Sequence, residues 1–569
     1  MSLGRKVLRG SLLSYGSFIA SKALLFLSTL VLARVLAPRD FGLVGYALVA
    51  ISLLDVMKDL GVTAALVYRR DISDDDAGDA FTLTVGAGVF FFALCWIGGP
   101  LVAAFFHDAR VTALTRALGL SFVLYGLGGV HAALLQKRMS FGRGVLPDLA
   151  QGATKGAVSV GLALYGLGYW SLVWGQLLGI GAATVTTWLL LPWRPRLGLR
   201  LSSARLLLGY GLHITVINAL GIAIYNGDYA IVGRTLGSAA LGLYTLAYSI
   251  PQMLTLSLAI ALSRVIFPAY ATLRDDRAGL RRGYLAVLRW SALALVPVGI
   301  GLCAAAPFLV HTLYKPAWWS AIPALQALAV YATVYAVGWN DGDIYKATGR
   351  PDIQWKLGLA HIVVLLPALL LGARLGGFVG VALAQVAVAV PYSLARFWLI
   401  RRVLGVDART IVLALRPTAL AGAGLLVVVL AVPALVGPAT PPVVTLALQG
   451  LLGGLCYALA ILALDREVRG RVMALATRRT HAASGTDVPA GSVNCPLRTP
   501  VTHWDRRSPC GTPPQARGVP DPDGRPAHRA AGTAAVPVDT PGTDLSRALD
   551  VPDLPATPDL PSPYVRLLP

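Results

Sequence analysis

The chain is short of charge. Only 14% of its 569 residues are Asp, Glu, Lys or Arg, where an ordinary water-soluble domain carries about a quarter. Acid is scarcer than base, with 28 Asp and Glu against 49 Lys and Arg. Five cysteines make no disulfide framework; Cys95, Cys303 and Cys456 sit in apolar runs, and Cys495 and Cys510 near the C-terminus. No His/Cys/Asp cluster has metal-ligand spacing, and no phosphate-binding GxxxxGK[ST] loop is present. No metal centre, nucleotide site or other cofactor is therefore expected. Nor does the N-terminus read as a cleaved leader. Arg5, Lys6 and Arg9 precede an apolar run that continues to Leu36, too long for a signal peptide and without an Ala-x-Ala site, so it is read as a first transmembrane helix.

Apolar residues fill the space that charge leaves. They make up 56% of the chain, with a mean hydropathy of +0.66, which implies an integral membrane protein. A spanning helix needs about 20 mainly apolar residues, and about fourteen stretches qualify. They begin near Ser11, Phe41, Phe81, Val111, Gly144, Trp170, Leu206, Leu241, Tyr284, Trp318, Ile353, Gly377, Thr410 and Val443. Segments ten and eleven are joined by WNDGDIYKATGRP (Trp339–Pro351), which is too polar for a lipid-facing helix. The net charge of +21 reads as loop arginine that sets topology, not as a nucleic-acid footprint. With the N-terminus inside, alternation puts roughly twenty-seven Lys and Arg on the inner side and about six outside. Both termini are then cytoplasmic, and the outer turns are too short for an outer domain. Beyond about Arg479 the chain is rich in Pro, Asp, Thr, Ala and Gly and is expected to form a disordered cytoplasmic tail.

The chain also repeats itself. STLVLARVLAPRDFGLVGYA, from Ser28, and DYAIVGRTLGSAALGLYTLA, from Asp228, share Arg34/Arg234, Leu36/Leu236, Gly42/Gly242, Leu43/Leu243 and Ala47/Ala247, the signature of a duplicated bundle. The Pro100 run in segment three parallels the Pro307 run in segment nine, and Leu167-Gly-Tyr-Trp parallels Leu375-Gly-Gly-Phe. The expected fold is an all-α integral membrane protein of about 14 transmembrane helices. It divides into an N-terminal six-helix lobe (1–200), a pseudo-symmetric C-terminal lobe (201–404), a terminal helix pair (405–473) and the tail (474–569).

Two six-helix lobes plus a terminal pair resemble the MOP superfamily of exporters. Within it, LARVLAPRDFGLVGYA (Leu32–Ala47), DLGVTAALVYR (Asp59–Arg69), DYAIVGRTLGSAALGLY (Asp228–Tyr244) and FPAYATLRDDRAGLRRGY (Phe267–Tyr284) are similar to the Wzx-type polysaccharide flippases. The resemblance covers about residues 1–470. It implies export of a polyprenyl-diphosphate-linked oligosaccharide across the bacterial plasma membrane by alternating access. Polysaccharide polymerase and glycosyltransferases would be neighbours, and no nucleic acid is implied. Two alternatives stand beside it: a cation-coupled drug or small-molecule exporter of the same superfamily, with Asp55 as its nearest intramembrane carboxylate, and a membrane glycosyltransferase or polymerase, for which the outer loops are too short.

Charge at bilayer depth is costly and so faces a cavity or a partner. Lys22, beside a stripe of Ser14, Ser17, Ser21 and Ser28, is a candidate to attract the diphosphate; snorkelling is the bland alternative. Lys155, midway along segment five, is a second candidate. Asp55, Lys58 and Asp59 fall at i, i+3 and i+4, either a self-neutralising pair or a coupling carboxylate. Asn218, Gly221, Tyr225 and Asp228 form a stripe on segment seven that would line the cavity or bond between helices. Arg264 is placed to hold a headgroup or simply to fix topology. Asn340, Asp341 and Asp343 are candidates for a cation site or inner gate, against an ordinary polar loop. Arg34 and Arg234 are read as structural, closing the hairpin turns and anchoring at the interface. Asp74–Asp76 are read as a solvated face.

Overall fold

A computed structural model describes residues 24–473 except 56, 59–60, 64–65, 67–72, 138–140, 197, 199, 274, 438 and 472. Lys22, Asp59 and the tail lie outside the described residues. The side chains of Asn218, Tyr225 and Arg264 do too, although their backbones are helical.

The described chain is helical, as it must be where no water reaches the backbone. The first lobe contains α1 (Leu24–Val35), α2 (Pro38–Asp55), α3 (Asp74–Phe106), α4 (Arg110–Lys137), α5 (Phe141–Leu164) and α6 (Trp170–Leu190). Pro38 opens α2, where its missing N–H costs nothing. A capping box of Ser73 and Asp76 opens α3. In the second lobe one helical run, Leu201–Pro251, breaks at Gly237 (φ 86, ψ 177); α7 lies before the break and α8 after it. A π turn (Gln252–Leu256) leads from α8 into Ser257–Thr272. Then come α9 (Arg277–Leu313), α10 (Ile322–Val337) and the short α11 (Asp341–Ala347). The run Pro351–Leu404 is 54 residues long, about 80 Å if straight and far more than the hydrocarbon core of about 30 Å. It folds back at Gly376 and Gly377, giving α12 and α13. The terminal pair is α14 (Ala408–Val436) and α15 (Pro442–Leu464).

Among the described residues, helices occupy the fourteen expected segments, the first from Leu24 onward, and the polar stretch between ten and eleven forms α11. The terminal pair packs on α9, where the Tyr457 hydroxyl donates to the Leu293 carbonyl at 3.0 Å and Arg289 pairs with Asp465.

Two expectations are corrected. Asp74–Asp76 are not simply solvated: Asp76 and the buried Asp79 bind Arg200 at 3.0 and 2.8 Å, and the Gly198 N–H donates to Thr82. The strand of chain that joins the lobes is thus pinned to the start of α3. Arg34 and Arg234 do not close their own hairpins. Each reaches the opposite lobe.

Candidate functional site

The two lobes meet at the face that carries the short turns, here called the hairpin face. An ideal Cβ on Gly42 would lie 1.7 Å from the Ser238 carbonyl oxygen, and one on Gly242 would lie 1.9 Å from that of Pro38. Each glycine sits on the other repeat's backbone at the equivalent position, so the sequence duplication becomes a two-fold contact. Only a residue without a side chain permits that approach. Around it, the Trp318 indole N–H donates to the Ala33 carbonyl at 2.9 Å, and its ring packs edge-on to Phe41. Tyr46 stacks on Phe106 at 4.2 Å and donates its hydroxyl to the Gly233 carbonyl at 3.2 Å. Arg34 donates to the last carbonyls of α9, Leu313 and Thr312, at 3.1 and 3.3 Å. Arg234 lies against His107, which ends α3. Helix C-termini favour cations because their final carbonyls have no intrahelical partner.

Behind this seal the lobes separate around a cavity of about 400 Å³. The first lobe lines it with Ser28, Thr29, Lys155, Ser159 and Gln176, and the second with Thr245, Ser249 and Gln252, over a mainly apolar wall. Lys155 is its only cation among the described residues. Close helix packing fixes the lysine there. Gly175 and Gly179 of α6 would place a Cβ within 3.0 Å of the Lys155 backbone oxygen and side chain, and Gly156 would place one 2.2 Å from the Ser28 hydroxyl. Small residues four apart let membrane helices approach this way. Lys155 lies about 13 Å along the helix from the hairpin end of α5. A second cavity of about 310 Å³ shares Gly45, Leu48, Leu118, Gln176 and Thr245 with the first and adds Asp55, Tyr125, Asn226 and Tyr229.

Asp55 and Lys58 pair at 2.9 Å, and the ammonium sits 3.8 Å above the Tyr125 ring. They therefore form a half-buried neutral pair at the end of the cavity. Asp228 does not line either cavity. It is buried in the second lobe, accepting from the Tyr244 hydroxyl at 2.8 Å, the Gln385 amide at 3.0 Å and the Tyr229 N–H at 2.9 Å. Asn340, Asp341 and Asp343 are also buried in that lobe. Asn340 meets Ser291, Asp341 pairs with Arg396 at 3.6 Å, and Asp343 accepts from Ser263 and pairs with Lys346. No group of three or more His, Cys, Asp or Glu side chains is arranged to hold a metal among the described residues. The structure therefore places Lys155 and Asp55 on two cavities that share lining residues, with Lys58 paired to Asp55, and keeps Asp228, Asp341 and Asp343 out of both linings.

Trp318, Tyr46 and His107 were not singled out in the sequence. Trp318 was named only as the approximate start of segment ten.

The fold matches solved structures at low identity. Lipid II flippase MurJ in its inward closed conformation superposes with a TM-score of 0.64 at 13% identity, covering 80% of this chain and 99% of that one. An inward-facing multidrug resistance MATE transporter of the MOP superfamily gives 0.56 at 14%, covering 68% and 96%. Among sequences, the lipopolysaccharide biosynthesis protein WzxC of Escherichia coli K12 is 28% identical over 73% of this chain and 85% of its own length. The teichuronic acid biosynthesis protein TuaB of Bacillus subtilis is 24% identical over 61% and 73%. The succinoglycan biosynthesis transport protein ExoT of Rhizobium meliloti is 25% identical over 62% and 72%. The polysaccharide biosynthesis protein family model matches residues 31–323, just over half of the chain. A duplicated membrane bundle with a polar space between its halves thus has a family, and the chain is a member of the polysaccharide biosynthesis protein family.

Proposed function

We propose that this protein carries a polyprenyl-diphosphate-linked oligosaccharide across the bacterial plasma membrane by alternating access, without changing its bonds. The single observation behind this reading is the Lys155 cavity, which carries a cation and hydroxyl and amide groups on a mainly apolar wall and lies between two lobes that meet at the hairpin face. An anionic headgroup gains most from a cation inside a low-dielectric wall, and a long lipid tail needs no enclosed site because the bilayer can hold it. The names of WzxC, TuaB and ExoT favour a surface polysaccharide as the product. In this reading residues 1–200 and 201–404 are the two moving lobes, 405–473 a support, and 474–569 a cytoplasmic tail. The hairpin face is outside and both termini are inside, in keeping with the arginine-rich turns on the other face.

Lys22 and Lys155 would receive the diphosphate, with Arg264 at the inner rim and Asn218 and Tyr225 on the facing helix. Coupling to an ion gradient would use a carboxylate that changes partner. Asp228 is bonded across α7, α8 and α13, so a proton there would alter the packing of the lobe that must move. Asp55 with Lys58 and Asp59 would open the pair to substrate; Asp341 and Asp343 would hold the second lobe's arginine-face end. A polymerase and glycosyltransferases would act on either side of the carrier.

The test is genetic and chemical together. Removing the gene should abolish surface polysaccharide and leave lipid-linked repeat units on the cytoplasmic side, and the intact gene should restore both. Normal polysaccharide in its absence, or bond changes catalysed by the purified protein, would refute the proposal.

A further inference from the structure

A third cavity lies away from the lobe boundary, where the terminal helix pair meets the second lobe. Its volume is about 570 Å³, within the range of about 300–1,000 Å³ that small-molecule sites occupy. The first turns of α9, the first turns of α14 and the end of α15 form its walls. Three arginines and two carboxylates line it. Both carboxylates are taken. Arg289 pairs with Asp465 and Glu467, and Glu467 also pairs with Arg471 at 2.8 Å. The other two arginines, Arg282 and Arg466, are exposed and have no ion-pair partner among the described residues.

Helix lengths put this cavity at the level of lipid headgroups. α9 has 37 residues, about 55 Å, against a hydrocarbon core of about 30 Å. Arg282 is in its second turn, and Arg466 follows the end of α15. Leu413 and Leu464 also line the cavity and are half exposed, as a surface against acyl chains would be. Pro417 lies inside α14 and lines the cavity too. It has no N–H to give the Leu413 carbonyl four residues earlier. The cavity thus offers two cations without an anion and a carbonyl without its helical donor.

We propose that this cavity holds the headgroup of a resident anionic glycerophospholipid of the phosphatidylglycerol type. Arg282 and Arg466 take its phosphate, and the Leu413 carbonyl accepts from its headgroup hydroxyls. Basic pockets between membrane helices on the cytoplasmic side bind anionic headgroups in this way. A zwitterionic headgroup fits less well, because its ammonium would meet two uncompensated arginines. Arg282 belongs to the second lobe and Arg466 to the terminal pair, so one phosphate fastens the two together beside the Arg289–Asp465 bridge. No lining residue is shared with the Lys155 cavity. The inference therefore stands or falls independently of what that cavity carries.

The experiment measures lipid binding to the purified full chain in detergent by native mass spectrometry. The lipids are phosphatidylglycerol, phosphatidylcholine and phosphatidic acid of one chain length, the last without headgroup hydroxyls. Phosphatidylglycerol should bind about 25-fold more tightly than phosphatidylcholine, about fivefold for each arginine. Arg282→Gln and Arg466→Gln should each lose about fivefold, and the double variant should lose the preference. Arg401→Gln with Arg402→Gln, which removes the same charge from the exposed end of α13, should keep it. Pro417→Ala supplies the missing N–H and should weaken phosphatidylglycerol by about two- to tenfold while leaving phosphatidic acid unchanged. No preference for phosphatidylglycerol in the parent overturns the site. A preference that survives in the double variant, or that Lys155→Ala abolishes, overturns its location. Equal loss of both acidic lipids in Pro417→Ala, or loss of neither, overturns the hydroxyl contact. Displacement of the lipid by an equal concentration of glycerol 1-phosphate overturns a lipid as the ligand in favour of a soluble phosphate.

Discussion

One methyl group at Gly42 should move the whole first lobe. The ideal Cβ would lie 1.7 Å from the Ser238 oxygen, whereas a carbon and a carbonyl oxygen rest no closer than about 3.3 Å. The helices must then part by about 1.5 Å, and backbone cannot swing aside as a side chain would. Overpacking of this kind costs about 1–3 kcal/mol, and here it burdens only the closed arrangement. The ratio of closed to open protein should therefore fall by about 5- to 150-fold. Gly242→Ala should act alike, because its Cβ would lie 1.9 Å from the Pro38 oxygen. The assay is labelling of Thr245→Cys, in the cavity wall, by a membrane-impermeant maleimide added to vesicles with the hairpin face outward. Both alanine variants should label faster than the parent. Gly86→Ala, with nothing within 4 Å of its Cβ, should not. Equal labelling of Gly42→Ala and Gly86→Ala would refute the claim that the lobes seal at this contact.

Three further outcomes follow from the structure. Lys155→Ala should weaken handling of a diphosphate-linked substrate by about 10- to 150-fold, the range for a hydrogen bond to a charged group, with Lys155→Arg retaining most of it in a vesicle transport assay. Trp318→Ala should cost about 3–5 kcal/mol, since the ring is fully buried at the lobe boundary, and would lower the thermal midpoint of the purified protein; Trp318→Phe should cost less. Arg289→Ala should cost about 3 kcal/mol by leaving the buried Asp465 unpaired, more than replacing both residues with leucine. Burial alone would raise the Asp465 pKa, but the Val468 N–H and Arg289 outweigh it and hold the carboxyl below its ordinary range. That contribution is present above about pH 4 and is lost as pH falls through the lowered value, so between pH 5 and 8 Asp465 should stabilise the protein by a constant amount and add no pH dependence.

Much of the architecture was legible because lipid imposes it. A span must be apolar and about 20 residues long, and a duplicated hairpin leaves paired residues at one constant offset, as at Gly42 and Gly242. The use of those residues was not legible. Arg34 donates to backbone carbonyls, which every sequence possesses, so no motif announces the contact. Asp76 and Asp79 find Arg200 more than a hundred residues away, and local charge patterning reads the same run as solvated. Asp341 sits beside Arg396 only because α11 turns it into the second lobe. Lys155 was visible as an isolated charge in an apolar run. That Gly175 and Gly179 hold its helix close became clear only from the packing of α5 on α6.

The most direct measurement of the central claim uses purified protein in liposomes that contain a fluorescent polyprenyl-diphosphate oligosaccharide, with a glycan-digesting enzyme outside. If the protein is a carrier, glycan first protected in the inner leaflet becomes digestible at a rate set by the amount of protein, and Lys155→Ala slows it. If the protected pool persists at every protein level, while the protein remains folded and inserted, the account is wrong.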